Sequence, residues 1–129
     1  MPQPATHTRI DQSLCGAPVA LSPGRAVVRL TLAPAMAVDD RGLVHGGFVF
    51  GLADHAAMLA VNDPLVVLGA AEVRFTAPTA VGETLEAEAS QDEDAGKKRR
   101  VSVTVRRDGQ TVFTGSFTCF VLQSHVLDL

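Results

Sequence analysis

The segment LVHGGFVFGLADHAAMLAVND, residues 43–63, decides the fold of this chain, because it joins helical length and composition to an almost wholly apolar sequence. Its many alanines and leucines predict a helix from His45 to Val61 that ends near Asn62-Asp63-Pro64. At about 3.6 residues per turn, one face carries Phe48, Val49, Leu52, Ala56 and Leu59. The opposite flank is apolar as well, with Phe50, Met58 and Val61. Such a helix is buried nearly all round.

Runs of alternating apolar and polar residues lie on both sides of this helix in the sequence. One run begins at Gly24 and precedes the helix. Four follow it, over Val66–Thr76, Glu83–Gln91, Arg99–Arg106 and Thr111–Leu122. The order β-α-β-β-β-β predicts an α+β domain, an antiparallel sheet of about five strands wrapped around one long helix. Because such a sheet covers the helix on one side only, we expect the second apolar flank to meet another subunit or a ligand.

Length and composition predict one domain of an ordinary soluble class. The chain has 129 residues, of which residues 1–23 carry four prolines and are predicted as a lead-in with a short helical turn around Arg9–Leu14, before a domain over residues 24–129. A net charge of -3 argues against nucleic acid as a partner. Neither a signal peptide nor a membrane span is apparent, and we expect a cytoplasmic protein. The two cysteines, Cys15 and Cys119, have no ligand spacing, so no metal site or disulfide framework is expected.

Asp54 is a carboxylate in the middle of the predicted buried helix. Removing an unpaired carboxylate from water costs several kcal/mol, so the residue needs a reason to be there. One reason is structural: Asp54 caps a neighbouring backbone group or pairs with an arginine such as Arg74. The other is chemical, because a partly desolvated carboxylate is suited to act as a base or a nucleophile.

The tripeptide His45-Gly46-Gly47 stands at the start of the same helix. Glycines at this position leave the first backbone N–H groups open to a ligand oxygen, at the positive end of the helix dipole. Such donors stabilise a developing oxyanion, which together with Asp54 indicates acyl transfer to water. The alternative is a tight turn in which His45 hydrogen-bonds its own loop.

The pattern V-H-G-G-x-x-x-x-L-A-D, followed by a strand that ends in F-x-x-P from Phe75 to Pro78, resembles the hotdog-fold acyl-CoA thioesterases of the phenylacetate-pathway (PaaI-like) type. The resemblance runs from about Gly24 to Leu122. It implies a hotdog fold and a dimer, or a dimer of dimers, with sites at the interface between helices. It also implies that Asp54 is the catalytic carboxylate, that Gly46 donates the oxyanion N–H from the partner chain, and that His45 shapes the site.

The same resemblance implies the ligand: an acyl-CoA thioester hydrolysed to free acid and CoA, with no cofactor apart from the CoA of the substrate. Gly47 would line the site beside Gly46, and an apolar pocket would be formed by Phe48, Phe50, Met58 and Leu68. Two positions depart from the family, because Asp39 stands where an asparagine is usual and Leu68 where serine or threonine is common. A non-catalytic hotdog module that binds acyl-CoA or another small ligand is therefore the alternative function.

The first departure leads to a prediction about charge. If Asp39 and Asp54 approach one site, the pKa of one carboxyl rises through repulsion between like charges. Candidates for binding the CoA phosphates are all basic and remain unranked: Lys97-Lys98-Arg99-Arg100, Arg74 and Arg106-Arg107. The basic run has a second interpretation, as a solvated hairpin edge.

Overall fold

The computed structural model of the chain describes residues 2–129, and within these all side chains except those of residues 93–95. One long helix lies against a single six-stranded antiparallel sheet. The elements are α1 (Gln12–Cys15), β1 (Ala17–Ser22), β2 (Arg25–Thr31), α2 (Gly46–Val61), β3 (Val66–Phe75), β4 (Thr84–Ala95), β5 (Lys98–Arg107) and β6 (Gln110–Val121), with 3-10 turns at Pro34–Met36 and Val126–Asp128. The strand order is β1-β2-β4-β5-β6-β3. The predicted α+β class is confirmed.

The strand count differs from the prediction of about five, because β1 also joins the sheet by pairing with β2. This strand lies within the segment predicted as a lead-in, residues 1–23. Its burial does not alternate, since Leu21 is its only buried residue, and Pro18 interrupts the pattern beside an irregularity in the pairing. A proline is tolerated here because β1 is an edge strand whose outer side needs no ladder hydrogen bond.

The core lies between α2 and the strands β2, β4 and β5. Alternate residues of β5, namely Val101, Val103 and Val105, are almost completely buried against the helix. Each buried valine of this kind contributes about 1.5 kcal/mol or more of transfer free energy. The helix ends as predicted at Asn62, which adopts the left-handed conformation with φ 53 and donates its N–H to the Met58 carbonyl.

Part of the second flank of α2 is covered by the chain's own N-terminal segment, where the sequence led us to expect another subunit or a ligand. The backbone N–H of Ala5 donates to Oδ1 of Asn62 at 2.7 Å. The ring of His7 stacks on that of His55, with 6.2 Å between centroids, and Nδ1–H of His55 donates to the Cys15 carbonyl at 3.1 Å. The lead-in is therefore a docked part of the fold.

What remains open on α2 is a stripe at helical spacing, formed by Gly47, Phe50, Gly51 and Asp54. The strand β3 is the second open feature, since it is the last strand of the sheet and residues Ala70 to Glu72 are exposed. Among residues 2–129, no helix has the length and apolar character needed to span a bilayer.

Candidate functional site

Asp54 lies near the middle of α2 with one carboxylate oxygen, Oδ1, fully buried. No described residue donates a hydrogen bond to this oxygen, and neither a backbone group nor Arg74 pairs with the carboxylate, so neither structural explanation for it is realised. Burial raises the pKa of Asp54 from 3.8 to about 6. The site therefore holds a carboxylate poised near neutral pH.

Two thiols lie close enough to Asp54 to feel its charge. Cys119 on β6 is completely buried, and burial, followed by the charge of Asp54, raises the pKa of its thiol to about 11. Cys15, at the end of α1, has its thiol pKa raised by burial and then by the charges of Asp11 and Asp54. Leu68 of β3 is the register partner of Cys119, which brings this candidate residue to the same region of the sheet.

Gly46 is the first residue of α2, and no acceptor for its backbone N–H is found within the part of the chain that the structure describes. A Cβ built on Gly46 would lie 3.1 Å from the Phe75 ring, so a small side chain at this position requires that exposed ring to shift by a few tenths of an ångström. Gly46 and Phe75 line a cavity of about 340 Å³ whose other walls include Val49, Thr79 and Val112. A free donor thus borders a cavity that could take a ligand oxygen.

Gly47 differs from Gly46, although the sequence predicted open N–H groups at both. The Gly47 N–H donates to Nδ1 of His45 at 2.7 Å, which makes His45 the N-cap of α2. His45 therefore hydrogen-bonds its own helix start, the alternative considered for it, and leaves Gly46 as the open donor. The ring of Phe48 packs edge-on against His45, with 6.2 Å between centroids.

The remaining apolar candidates are separated by burial. Phe50 is half-buried and packs on Phe117 of β6, with ring centroids 5.6 Å apart. Leu68 is also half-buried, whereas Met58 is only 1% exposed and lies in the core of the single chain. Phe50 thus belongs to the open stripe that carries Asp54, and Leu68 lies beside Cys119, whereas Met58 is inaccessible to a ligand in the single chain.

Asp39 is exposed and occupied by its own loop. Its Oδ1 accepts hydrogen bonds from the backbone N–H groups of Arg41, at 3.0 Å, and Leu43, at 3.2 Å. The predicted charge coupling with Asp54 is not present within the chain, because burial is the cause of the raised Asp54 pKa. The Asx-type turn explains the difference, since a short carboxylate readily caps the backbone two residues on.

Two residues at the site were not singled out from the sequence. Phe75 was named only as part of the F-x-x-P motif, and nothing in the sequence around it indicates that its ring lies over Gly46. Cys119 was noted only as a cysteine without metal-ligand spacing, and its proximity to Asp54 depends on how β6 packs against α2, which no local pattern shows. No group of three or more His, Cys, Asp or Glu side chains that could hold a metal ion occurs among the described residues.

The comparison with protein families bears on this arrangement. Residues 35–120, which include α2 and four of the six strands, match the acyl-CoA thioesterase N-terminal domain. The chain belongs to this PaaI-like family of hotdog thioesterases. Within the family, a solved structure similar to this chain is an asparagine-to-aspartate mutant of the phenylacetic acid degradation protein PaaI from Thermus thermophilus. It is 29% identical, has a TM-score of 0.78 and covers 86% of this chain and 96% of that one.

Two further relatives are more similar to this chain in sequence. An uncharacterised protein from Pyrococcus horikoshii is 53% identical, with a TM-score of 0.97 and 98% of both chains covered. A curated relative, methylthioribose-1-phosphate isomerase from Aquifex aeolicus, is 47% identical over 118 residues, or 91% of this chain. The chain spans only 26% of that relative's length.

Proposed function

We propose that the protein is an acyl-CoA thioesterase, which hydrolyses an acyl-CoA thioester to a free acid and CoA. The observation that carries the proposal is the buried, unpartnered carboxylate of Asp54 with its pKa of about 6. At neutral pH most of this carboxylate is ionised, yet its basicity is well above that of an ordinary aspartate, which favours proton transfer from water. Membership of the acyl-CoA thioesterase family supports the same reaction class.

The proposed chemistry uses two groups. The Gly46 N–H donates to the thioester carbonyl oxygen and stabilises the negative charge that develops there. Asp54 either removes a proton from the attacking water or attacks the carbonyl carbon itself to give a transient anhydride, which water then opens. In both routes the carbon–sulfur bond breaks, CoA leaves as a thiolate that takes up a proton, and the acid is released.

We further propose that each site is shared between two copies of the chain. Gly46 and Asp54 are eight residues apart on α2, which corresponds to about 12 Å along the helix axis. Groups that act on one carbonyl must each lie at about 3 Å from the reacting atoms, so one helix cannot supply both. The exposed edge strand β3 offers a place for a second copy to pair, as sheet edges do. A homodimer, or a dimer of dimers, would bring Gly46 of one chain to Asp54 of the other.

The test is release of CoA, followed with a thiol-reactive dye across a panel of acyl-CoA thioesters. We expect hydrolysis of at least one member and a loss of roughly 100-fold or more in kcat for Asp54→Asn, because the near-isosteric amide cannot act as a base or nucleophile. The matched control is Asp63→Asn just beyond the other end of α2. Among the described residues, the Asp63 side chain accepts a hydrogen bond only from the Leu65 N–H, and the side-chain oxygen of asparagine can accept the same bond. Equal rates for Asp54→Asn and the parent protein would refute the proposal.

A second function, a non-catalytic module that binds acyl-CoA, is favoured by the two departures from the family. Asp39 is engaged by its own turn, and Leu68 is an apolar side chain where the family often has a hydroxyl. The turn takes up the Asp39 carboxylate, and Leu68 has no hydroxyl, so neither side chain is placed to hold a water molecule. Saturable binding of acyl-CoA by calorimetry, without CoA release from any member of the panel, would support this function over hydrolysis.

A further inference from the structure

A second cavity adjoins the one at Gly46. It has a volume of about 520 Å³ and shares two wall residues, Pro78 and Thr79, with the Gly46 cavity. The first cavity is lined mainly by apolar side chains, whereas the second carries the guanidinium groups of Arg41 and Arg107. A ligand with a neutral arm and an anionic end could therefore run from Gly46 past Pro78 to these arginines.

The two arginines are not equivalent. Arg107 is fixed in the wall, since it donates to the Pro78 carbonyl at 2.8 Å, to Glu83 at 3.0 Å and to Gln110 at 2.6 Å. Arg41 is exposed, and none of the described residues forms a hydrogen bond or ion pair with its guanidinium. Arg41 is thus the cation of this cavity that remains available to a ligand.

The two acidic side chains of the cavity, Asp39 and Glu83, bind other groups and form no ion pair with Arg41. Asp39 accepts from the Arg41 and Leu43 backbone N–H groups, and Glu83 accepts from the Ala80 N–H at 2.6 Å and pairs with Arg107. Each carboxylate is therefore already hydrogen-bonded. An anion beside Arg41 would gain a charge-assisted hydrogen bond from a planar donor that suits phosphate oxygens.

The loop that carries Arg41 is held in place by backbone hydrogen bonds. The Val38 N–H donates to Leu43, the Val44 N–H to Thr79 and the Val81 N–H to Gly42, at 2.8 to 2.9 Å. Arg41 is five residues from Gly46, so their Cα atoms are at most about 18 Å apart. An extended pantetheine arm can bridge such a distance between a thioester and a phosphate.

Resting on the proposed thioesterase function, we infer that Arg41 binds a phosphate group of the CoA moiety whose thioester lies at Gly46 of the same chain. Arg41 was not among the basic residues that the sequence suggested for binding the CoA phosphates. Lys97 lies just before β5, at the opposite end from Arg107 and about 30 Å away along the strand. Arg74 lines a different cavity, together with Ser102 and Thr104. Successive side chains of a strand point to opposite faces, and it is the neighbouring Phe75 that lines the cavity at Gly46.

The test compares two substrates that differ only in the nucleotide end: the acyl-CoA cleaved fastest in the panel and the matching acyl-pantetheine. We expect Arg41→Gln to raise KM for the acyl-CoA by about tenfold, the effect of one charge-assisted hydrogen bond, with kcat unchanged. KM for the acyl-pantetheine should stay the same, and Arg41→Lys should restore part of the lost affinity. The variant keeps the backbone N–H that binds Asp39, and Lys97→Gln, at the distant hairpin, is the matched control.

An equal rise of KM for both substrates would show that Arg41 only supports the loop, and no rise for either would show that it binds nothing; both results overturn the inference. A rise for Lys97→Gln that matches Arg41→Gln would overturn it as well. If neither substrate is hydrolysed, the proposed function fails, and Arg41 is then tested by calorimetry with CoA and with pantetheine. In that case the inference is supported if Arg41→Gln binds CoA more weakly than the parent protein does but binds pantetheine equally well, and unchanged CoA binding overturns it.

Discussion

Replacement of Asp54 by asparagine should remove activity and, at neutral pH and above, stabilise the folded protein. The carboxylate is held without a partner at a pKa of about 6, against 3.8 in water. At 1.36 kcal/mol per pKa unit, this difference corresponds to about 3 kcal/mol of unfavourable free energy once the group is ionised in both folded and unfolded chains. In the proposed mechanism this cost is retained because the charge on Asp54 is needed for the reaction.

The sign fixes the pH window. Because the folded pKa is above the unfolded value, the protonated carboxyl contributes no such cost below about pH 3.8. Stability is lost as the pH rises through about 6, where the folded chain ionises. The advantage of Asp54→Asn in unfolding free energy should therefore be near its full value at about pH 8 and should vanish at about pH 4. An unsatisfied asparagine amide costs the same at every pH, so it shifts the curve without changing this dependence.

The assay is urea unfolding followed by far-UV circular dichroism, because the chain contains neither Trp nor Tyr. Both proteins are compared at one subunit concentration, since an oligomer gains stability by mass action. The reasoning is refuted if the difference in unfolding free energy between the two proteins is the same at acid and alkaline pH, because the buried carboxylate would then carry no ionisation cost.

Three other predictions concern the remaining groups. Gly46→Pro removes the proposed oxyanion donor at the first helical position, where proline is favoured, and should lower kcat by about 100-fold. Gly46→Ala keeps the N–H and should lower kcat far less, so similar losses in the two variants would mean that the N–H is not used. Asp39→Asn should leave the acid limb of kcat/KM near pH 6 unchanged, because burial sets the Asp54 pKa, and a shift of the limb would show that Asp39 reaches the site in the assembly. Burial lowers the pKa of both His7 and His55 from 6.5, so the two neutral rings should contribute stability above about pH 6.5 that is lost as the pH falls. His7→Asn, which suits the left-handed backbone at φ 54, should reduce this acid sensitivity, and identical profiles of unfolding free energy against pH for variant and parent would contradict the prediction.

The parts of the fold that were predictable are those coded locally. The helix followed from an apolar, alanine-rich run with a clear end at Asn62, and the strands after it followed from alternation, as in Val101, Val103 and Val105. The edge strand β1 was missed because edge strands need neither alternation nor a proline-free sequence, and Pro18 conceals it.

The parts of the site that were not predictable depend on contacts between distant segments. Residues 2–16 cover part of α2 through hydrogen bonds such as that from the Ala5 N–H to Asn62, and contacts between segments so far apart in the sequence leave no local pattern. Asp54 was identified because a charge within an apolar helix is visible in the sequence. The occupation of Asp39 by its own turn and the place of Phe75 over Gly46 depend on side-chain directions that spacing alone does not determine.

The shared site is tested most directly by mixing two inactive variants, Gly46→Pro and Asp54→Asn, by joint unfolding and refolding. Proline suits this helix start, because His45 before it already has the extended conformation with φ -63 and ψ 131. If Gly46 of one chain works with Asp54 of the other, random assembly gives one intact pair at a fraction of the sites, and about a quarter of the wild-type activity returns. Activity that stays at the level of the two variants measured separately, with mixed oligomers shown to form, would contradict the account.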